Sequence, residues 1–387
     1  MQTVLKGASI LSGGSWKSGH DLVIEGDRIA SVQVDAAMHE TTNVIDASGL
    51  LLVPGFIDVQ VNGGGGVLFN SAPTVETVRA IAEAHRPFGT TGLLPTLISD
   101  DLEVVEAAIK AVDQAIIEGV PGILGIHIEG PFLNSAKKGV HDASKFRTLD
   151  DAAIDLLSSL KNGVTLVTLA PEQTSADRIT ALSERGVIVS AGHTNATYDE
   201  VMAAVEAGLT GFTHLYNAMT GLNSRAPGVV GAALDVRETY AGIIADGHHV
   251  HPASLRAAVR AKGADRIMLV TDAMPSVGAK EKSFTLQGVQ ITVEDGLCTA
   301  PDGTLAGSDL DMASAVRYAA ENLDMPLETA VQMASGNPAR FLGLADRYGD
   351  IRPGMKASFV MMDEACQVQQ TWIDGKSNFD SQDNFDG

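Results

Sequence analysis

The chain has 387 residues, 45% of them hydrophobic and 19% charged, and carries a formal net charge of −21 at pH 7. That length exceeds a typical single compact domain and suits a large barrel with a smaller attached unit. So acidic a chain repels nucleic acid and anionic membranes, which excludes both as expected partners, and an anionic substrate would need local positive groups. From the N-terminus, TVLKGASIL, HDLVIEGDRIASVQV and TTNVIDASGLLLVPG alternate with a period near two and read as short strands joined by Gly and Asp turns.

The long middle follows a different rule. Eight apolar, strand-like runs occur at Phe56–Gln60, Gly92–Thr96, Ile123–Ile128, Val164–Leu169, Val187–Ala191, Gly211–His214, Ala241–Ala245 and Ile267–Thr271. Amphipathic helical stretches lie between most of them, among them TVETVRAIAEAHRPFG, DLEVVEAAIKAVDQAIIEG, TYDEVMAAVEAG and HPASLRAAVRAKG. Strands this uniformly apolar are buried on both faces, as in a parallel sheet. Eight β/α units predict a TIM (β/α)8 barrel, and no Gly-rich dinucleotide fingerprint follows any strand. Residues 283–308 interrupt the alternation as a β-hairpin insertion. Residues 351–375 return to the short-strand pattern. The expected organisation is therefore α/β: a small β-sandwich domain from residues 1–53 and 347–380, a barrel over 54–346, and a disordered tail at 381–387.

The forty glycines agree with many tight turns and close backbone approaches. The two cysteines, Cys298 and Cys366, cannot build a disulfide framework. MQTVLKGASILSGGSW is a poor signal peptide, and no apolar run nears the roughly 20 residues of a membrane span. A reduced, cytoplasmic location is the expectation.

In such a barrel the chemistry sits at the C-terminal ends of the strands. Those ends are polar here. The first ends in Gln60 and Asn62, the third in His127 and Glu129, the fifth in His193, the sixth in His214, the seventh in Asp246 and His249, and the eighth in Asp272. Seven of the ten histidines lie between positions 127 and 251. One such His after a strand is usually a loop residue satisfied by hydrogen bonds, but this many on one rim point to a site. Glu129, His193 and His214 form the two-His, one-carboxylate set common at catalytic zinc, with a position left open for water. Iron, manganese or cobalt suit the same donors. A metal so held lowers the pKa of bound water to about 7 and polarises a carbonyl. Asp272 suits a general base that turns general acid; its alternative is a helix N-cap. His127, two residues before Glu129, faces the same side, where ligation and packing are both open.

PGFIDVQVNG stands where the amidohydrolase superfamily carries PGxxDxHxH, and the chain resembles that superfamily. Gln60 and Asn62 replace the two metal-binding histidines of that signature, so one metal per chain is expected rather than two. Within it, the stretches GIHIEGPFLNSAKKGVH, LAPE, SAGHTNATYDE, THLYNAM, RAPGVVGAAL, DGHHV, LVTDAM and GTLAGSDLDM resemble the N-acetylglucosamine-6-phosphate deacetylase branch along the whole barrel. The resemblance implies hydrolysis of N-acetyl-D-glucosamine 6-phosphate to glucosamine 6-phosphate and acetate in amino-sugar catabolism. It implies Glu129, His193 and His214 as ligands of one divalent ion, zinc first, and Asp272 as the acid/base. His141, with Val140 beside it, matches a group near the reacting acetyl.

Further substrate contacts are implied at Asn217, Ala218, Arg225, the loop Asp246, Gly247, His248 and His249, and the segment Leu305, Ala306 and Gly307. Gln60 remains near the metal. The branch also implies a homodimer, or a homotetramer, in which Arg225 reaches a neighbouring active site. Arg225 stands in a loop poor in other cations and would suit a phosphate; otherwise it is a solvated surface Arg. Lys137 and Lys138 read as a solvated pair, and His20, His39, His85 and His251 receive no role. The rivals are a deacetylase for N-acetylgalactosamine 6-phosphate, another amidohydrolase such as a cyclic-amide hydrolase, and a catalytically dead barrel used as a scaffold.

Overall fold

The computed structural model describes residues 2–378, so the tail expected at 381–387 lies outside the described residues. The chain divides into two compact units: Met1–Asp58 with His85–Gly92 and Met312–Gly387, and Val59–Ala84 with Leu93–Asp311.

The first unit contains an eight-stranded sheet built from both ends of the chain. Gln2–Ser12 pairs antiparallel with Ser15–Glu25, and Gly13 and Gly14, both at positive φ, make the two-residue turn between them. Leu51–Pro54 runs parallel to the first strand and receives Phe359–Met362 antiparallel, followed by Val368–Ile373. Alternation along these strands buries Leu5, Ile10, Leu22, Leu52, Phe359 and Trp372 in one cluster. Phe359 and Trp372 are opposed in register and stack with their centroids 5.4 Å apart.

The second sheet carries the site. Its eight strands are β1 (Phe56–Val61), β2 (Thr90–Ile98), β3 (Gly125–Glu129), β4 (Val164–Leu169), β5 (Ile188–Ala191), β6 (Leu209–Phe212), β7 (Tyr240–Ile244) and β8 (Ile267–Val270). They are hydrogen-bonded in sequential order. A parallel bridge between Val61 and Ala273, with Asp272 N donating to Gln60 O at 3.0 Å, brings the last strand back to the first. The result is a TIM-barrel fold. All residues of β1, β2, β3 and β7 are buried, as their apolar runs require. A close approach explains Gly125: a Cβ there would lie 1.9 Å from Val164 O on the next strand.

Two expectations shift. The sixth strand is Leu209–Phe212 rather than Gly211–His214, because the chain turns out of the strand before His214, whose φ is +31°. Residues expected as a hairpin form four antiparallel strands, Phe284–Leu286, Val289–Glu294, Leu297–Thr299 and Leu305–Ser308. Two-residue turns at Gln287–Gly288 and Asp295–Gly296, all four residues at positive φ, connect the first three. Leu286, Ile291, Cys298 and Ala306 form their core with Met274. The last of these strands returns to the barrel rim, where Ser308 N donates to Asp272 O at 3.0 Å.

One buried cation supports the barrel. Lys262 is fully buried, and its Nζ donates to Ala233 O, Val236 O and Thr239 Oγ1 at 2.7, 2.8 and 2.8 Å. It thereby satisfies acceptors at the C-terminal end of helix Gly228–Asp235. Burial pushes its pKa down to about 8, which leaves the ammonium dominant at neutral pH. Lys262→Met removes the ammonium from all three acceptors, of which Val236 O keeps the Thr239 hydroxyl at 2.8 Å. The expected loss is about 3 kcal/mol, read as a lower urea midpoint at unchanged slope.

Candidate metal centre

Glu129 is the last residue of β3, whereas His193, His214 and Asp272 each stand two residues beyond the ends of β5, β6 and β8. These three adopt left-handed backbone, with φ of +48°, +31° and +53°. Such a residue turns the chain sharply at the strand end. It costs about 1–3 kcal/mol and persists only where neighbouring contacts over-determine it.

Glu129, His193 and His214 converge, all buried. His193 Nε2 and His214 Nε2 lie 3.1 and 3.0 Å from Glu129 Oε1 and 3.1 Å from each other. Among the described residues they are the group whose ligand atoms all fall within 4.8 Å of one another. His193 Nδ1 meets the carbonyl of Lys137 at 2.8 Å. A carbonyl only accepts, so Nδ1 carries the proton and Nε2 is left with its lone pair. His214 Nδ1 is buried without a partner. Burial opposes the charge of Glu129, yet the two histidines hold its carboxyl well below the usual range. Two imidazole lone pairs and a carboxylate oxygen aimed at one another fit a divalent cation.

The amides of β1 face the carboxylates. Gln60 Nε2 donates to Glu129 Oε1 and Oε2 at 3.3 and 3.2 Å and to Asp272 Oδ1 at 3.1 Å. Asn62 Nδ2 donates to the same Asp272 oxygen at 2.7 Å. Burial, reinforced by the charge of Glu129, pushes the Asp272 pKa up to about 6.

His141 lies beside this group, its ring 4.3 Å from that of His193. Ser99 supplies both a backbone N–H, at 3.3 Å, and a hydroxyl, at 2.8 Å, to His141 Nδ1. An N–H only donates, so Nδ1 accepts and the neutral ring carries its proton on Nε2. Burial and the neighbouring His193 hold the His141 pKa well below the usual value, which keeps the ring neutral.

A cavity of about 340 Å³ opens over these residues. Val140, Asn217, Ala218, His249, Leu305 and Gly307 line it. Asp246 stands behind this lining, where its Oδ2 holds His249 Nδ1 at 2.6 Å from the loop after β7. Gly307, at φ +63°, packs against Asp272, where a Cβ would come within 2.8 Å of its carbonyl oxygen. Other expected contacts also fall outside the lining. Ala306 is buried in the insertion core, Gly247 and His248 are exposed, and exposed Arg225 lines a separate surface cavity with Asn195, Tyr198 and Asn223.

His127 is not in the converging group. It lies below it inside the barrel, its Nδ1 3.3 Å from Thr96 Oγ1 and its Nε2 2.7 Å from Thr168 Oγ1, and burial lowers its pKa to about 4. Ser99 escapes the sequence reading because the second run is ended there at Thr96; the apolar residues continue to Ile98 and point to it. Glu172 enters that reading only as a letter of LAPE. It accepts from Thr194 Oγ1 and Asn195 N, the two residues after His193.

Residues 51–377 match the amidohydrolase family, and the chain belongs to that family of metal-dependent hydrolases. Within it, the chain is similar to deacetylases of phosphorylated amino sugars. It is 50% identical over 325 residues to the N-acetylgalactosamine-6-phosphate deacetylase of Shewanella sp. (strain ANA-3), covering 84% of this chain and 82% of that one. It is 36% identical over 358 residues to the N-acetylglucosamine-6-phosphate deacetylase of Haemophilus influenzae, covering 92% and 93%. The crystal structure of N-acetylglucosamine-6-phosphate deacetylase from Pasteurella multocida superposes with a TM-score of 0.94 at 35% identity, over 98% of this chain and 100% of that one. No helix among the described residues is long and apolar enough to cross a membrane.

Proposed function

We propose that this chain hydrolyses the N-acetyl group of N-acetyl-D-glucosamine 6-phosphate, giving glucosamine 6-phosphate and acetate in amino-sugar catabolism. The observation that carries the reading is the convergence of Glu129, His193 and His214 beside a partly buried Asp272 whose one oxygen is already held by two amides. Glu129, His193 and His214 hold one divalent ion, which we take to be Zn2+. Such an ion, when bound, supplies Lewis-acid chemistry that acidifies water and polarises the amide carbonyl.

The remaining steps belong to the protein. Asp272 takes a proton from the attacking water as the new C–O bond forms at the acetyl carbon. His141 Nε2–H donates to the oxygen that gains negative charge. Asp272 then returns the proton to the sugar nitrogen as the C–N bond breaks. Val140, Asn217, Ala218, His249, Leu305 and Gly307 orient the sugar. Because Arg225 faces away from this cavity, it meets the phosphate of a neighbouring subunit's substrate in a homodimer. The buried thiols Cys298 and Cys366 suit a cytoplasmic enzyme. Release of acetate from the substrate, abolished by chelator and restored by Zn2+, tests the proposal; no release under any metal defeats it.

A second reading, the C4 epimer N-acetylgalactosamine 6-phosphate, draws support from the 50% identity to the Shewanella enzyme. One inverted hydroxyl is worth about 1–3 kcal/mol at a site not built around it. Both epimers are expected to be hydrolysed with the same metal requirement. A kcat/KM ratio above tenfold for the galacto epimer moves the assignment to it.

A further inference from the structure

The strained turns at His193 and His214 need an external clamp, and one residue supplies it from outside the ligand set. Glu172 follows β4, in the short helical turn Pro171–Gln173. Its Oε2 accepts from Thr194 Oγ1 at 2.5 Å, and its Oε1 accepts from Asn195 N at 2.6 Å and Asn134 Nδ2 at 2.9 Å. Each donor sits on a loop that carries or follows a ligand. Thr194 and Asn195 come directly after His193. Asn134 lies on the loop after Glu129, and its own N–H donates to His193 O at 3.0 Å. Thr194 passes the restraint on, because its N–H donates to Ala218 O at 3.1 Å and it bridges Met219 on the loop after His214. Ala218, like both histidines, is in left-handed backbone.

We infer that Glu172 is a positioning residue of the metal centre. It fixes the three loops after β3, β5 and β6 so that their ligands converge before an ion arrives. It touches neither ligand atoms nor the cavity over them. The inference rests on Glu129, His193 and His214 being the ligands. A carboxylate is the suitable hub because it accepts several hydrogen bonds and donates none, and each of its three partners here is a donor. Partners one step removed from a metal commonly change its affinity by about 10–100-fold.

The test measures Zn2+ affinity by competition with a chromophoric chelator, with no sugar present. Glu172→Ala is expected to weaken the Zn2+ Kd by about 10–100-fold, while kcat at saturating Zn2+ stays within a few-fold of the parent. Thr194→Val, which removes one of the same hydrogen bonds, is expected to shift the Kd in the same direction and serves where Glu172→Ala does not fold. Lys262→Met, destabilised at a side chain whose hydrogen bonds go to none of the ligands, is the control and should keep the parental Kd. A parental Kd in both Glu172→Ala and Thr194→Val overturns the inference and leaves the proposed function standing. A Lys262→Met variant weakened as much as these also overturns it, since the effect would then be general loss of stability. A parent chain that takes up no Zn2+ removes the ligand assignment itself, and the inference falls with it.

Discussion

Asp272→Asn is expected to lower kcat by about 10³-fold or more while the protein stays folded and binds its metal normally. The substitution keeps the size of the side chain. Its amide oxygen can still accept from Asn62 Nδ2 and Gln60 Nε2, which hold Asp272 Oδ1 at 2.7 and 3.1 Å. What disappears is the second oxygen, the one these amides leave available to take and return a proton. Burial and the charge of Glu129 push the Asp272 pKa up to about 6, whereas a cation in the cluster acts in the opposite direction. Both influences matter, because an acid/base serves best when its pKa lies near the working pH.

Steady-state kinetics with metal analysis on the same preparation decides the question. A drop in kcat with full metal content supports proton transfer by Asp272. A rate within tenfold of the parent assigns that transfer elsewhere. Loss of the metal would instead make Asp272 part of the binding set, a distinction that activity alone cannot make.

The parts of this site that sequence makes legible are those governed by strand periodicity. Apolar runs locate eight strands, and the polar residues that end six of them, Glu129 at the third and Asp272 after the eighth among them, fall on one rim. The parts that stay hidden depend on backbone direction and on contacts between loops. No pattern in SAGHT or FTHLYNAM announces that His193 and His214 take positive φ, because His, although enriched there among non-glycine residues, adopts it in only a minority of cases. Ser99 is lost to a strand end placed two residues short of Ile98. Glu172 is lost because its partners, Asn134, Thr194 and Asn195, come from two other loops. His127 shares its strand face with Glu129, and only the hydroxyls of Thr96 and Thr168 reveal it as part of a hydrogen-bonded layer inside the barrel. Arg225 stands out in sequence as a phosphate partner, yet within one chain it faces a different cavity. Periodicity places a residue along the chain but does not say which cavity it lines.

Glu129→Gln is expected to weaken metal binding by more than about 100-fold and kcat/KM by at least about 10³-fold, the equivalent of roughly 4 kcal/mol. The side chain keeps its size but loses its charge, and one acceptor becomes a donor among two imidazole nitrogens. The metal-free fold should lose stability as well. Burial opposes the charge of Glu129, but the two histidines hold its carboxyl well below the usual range, so the ionised form favours the folded state at neutral pH. The neutral amide gives up that contribution, so the metal-free variant should melt below the metal-free parent. Chelator should lower the Tm of the parent, since an ion at about 1,000 times its Kd contributes about 4 kcal/mol to the folded state. The same chelator should leave the Tm of Glu129→Gln unchanged. A parent whose Tm ignores chelator, or a variant that still loses stability with it, would mean that the ion which matters to this fold is not held by Glu129.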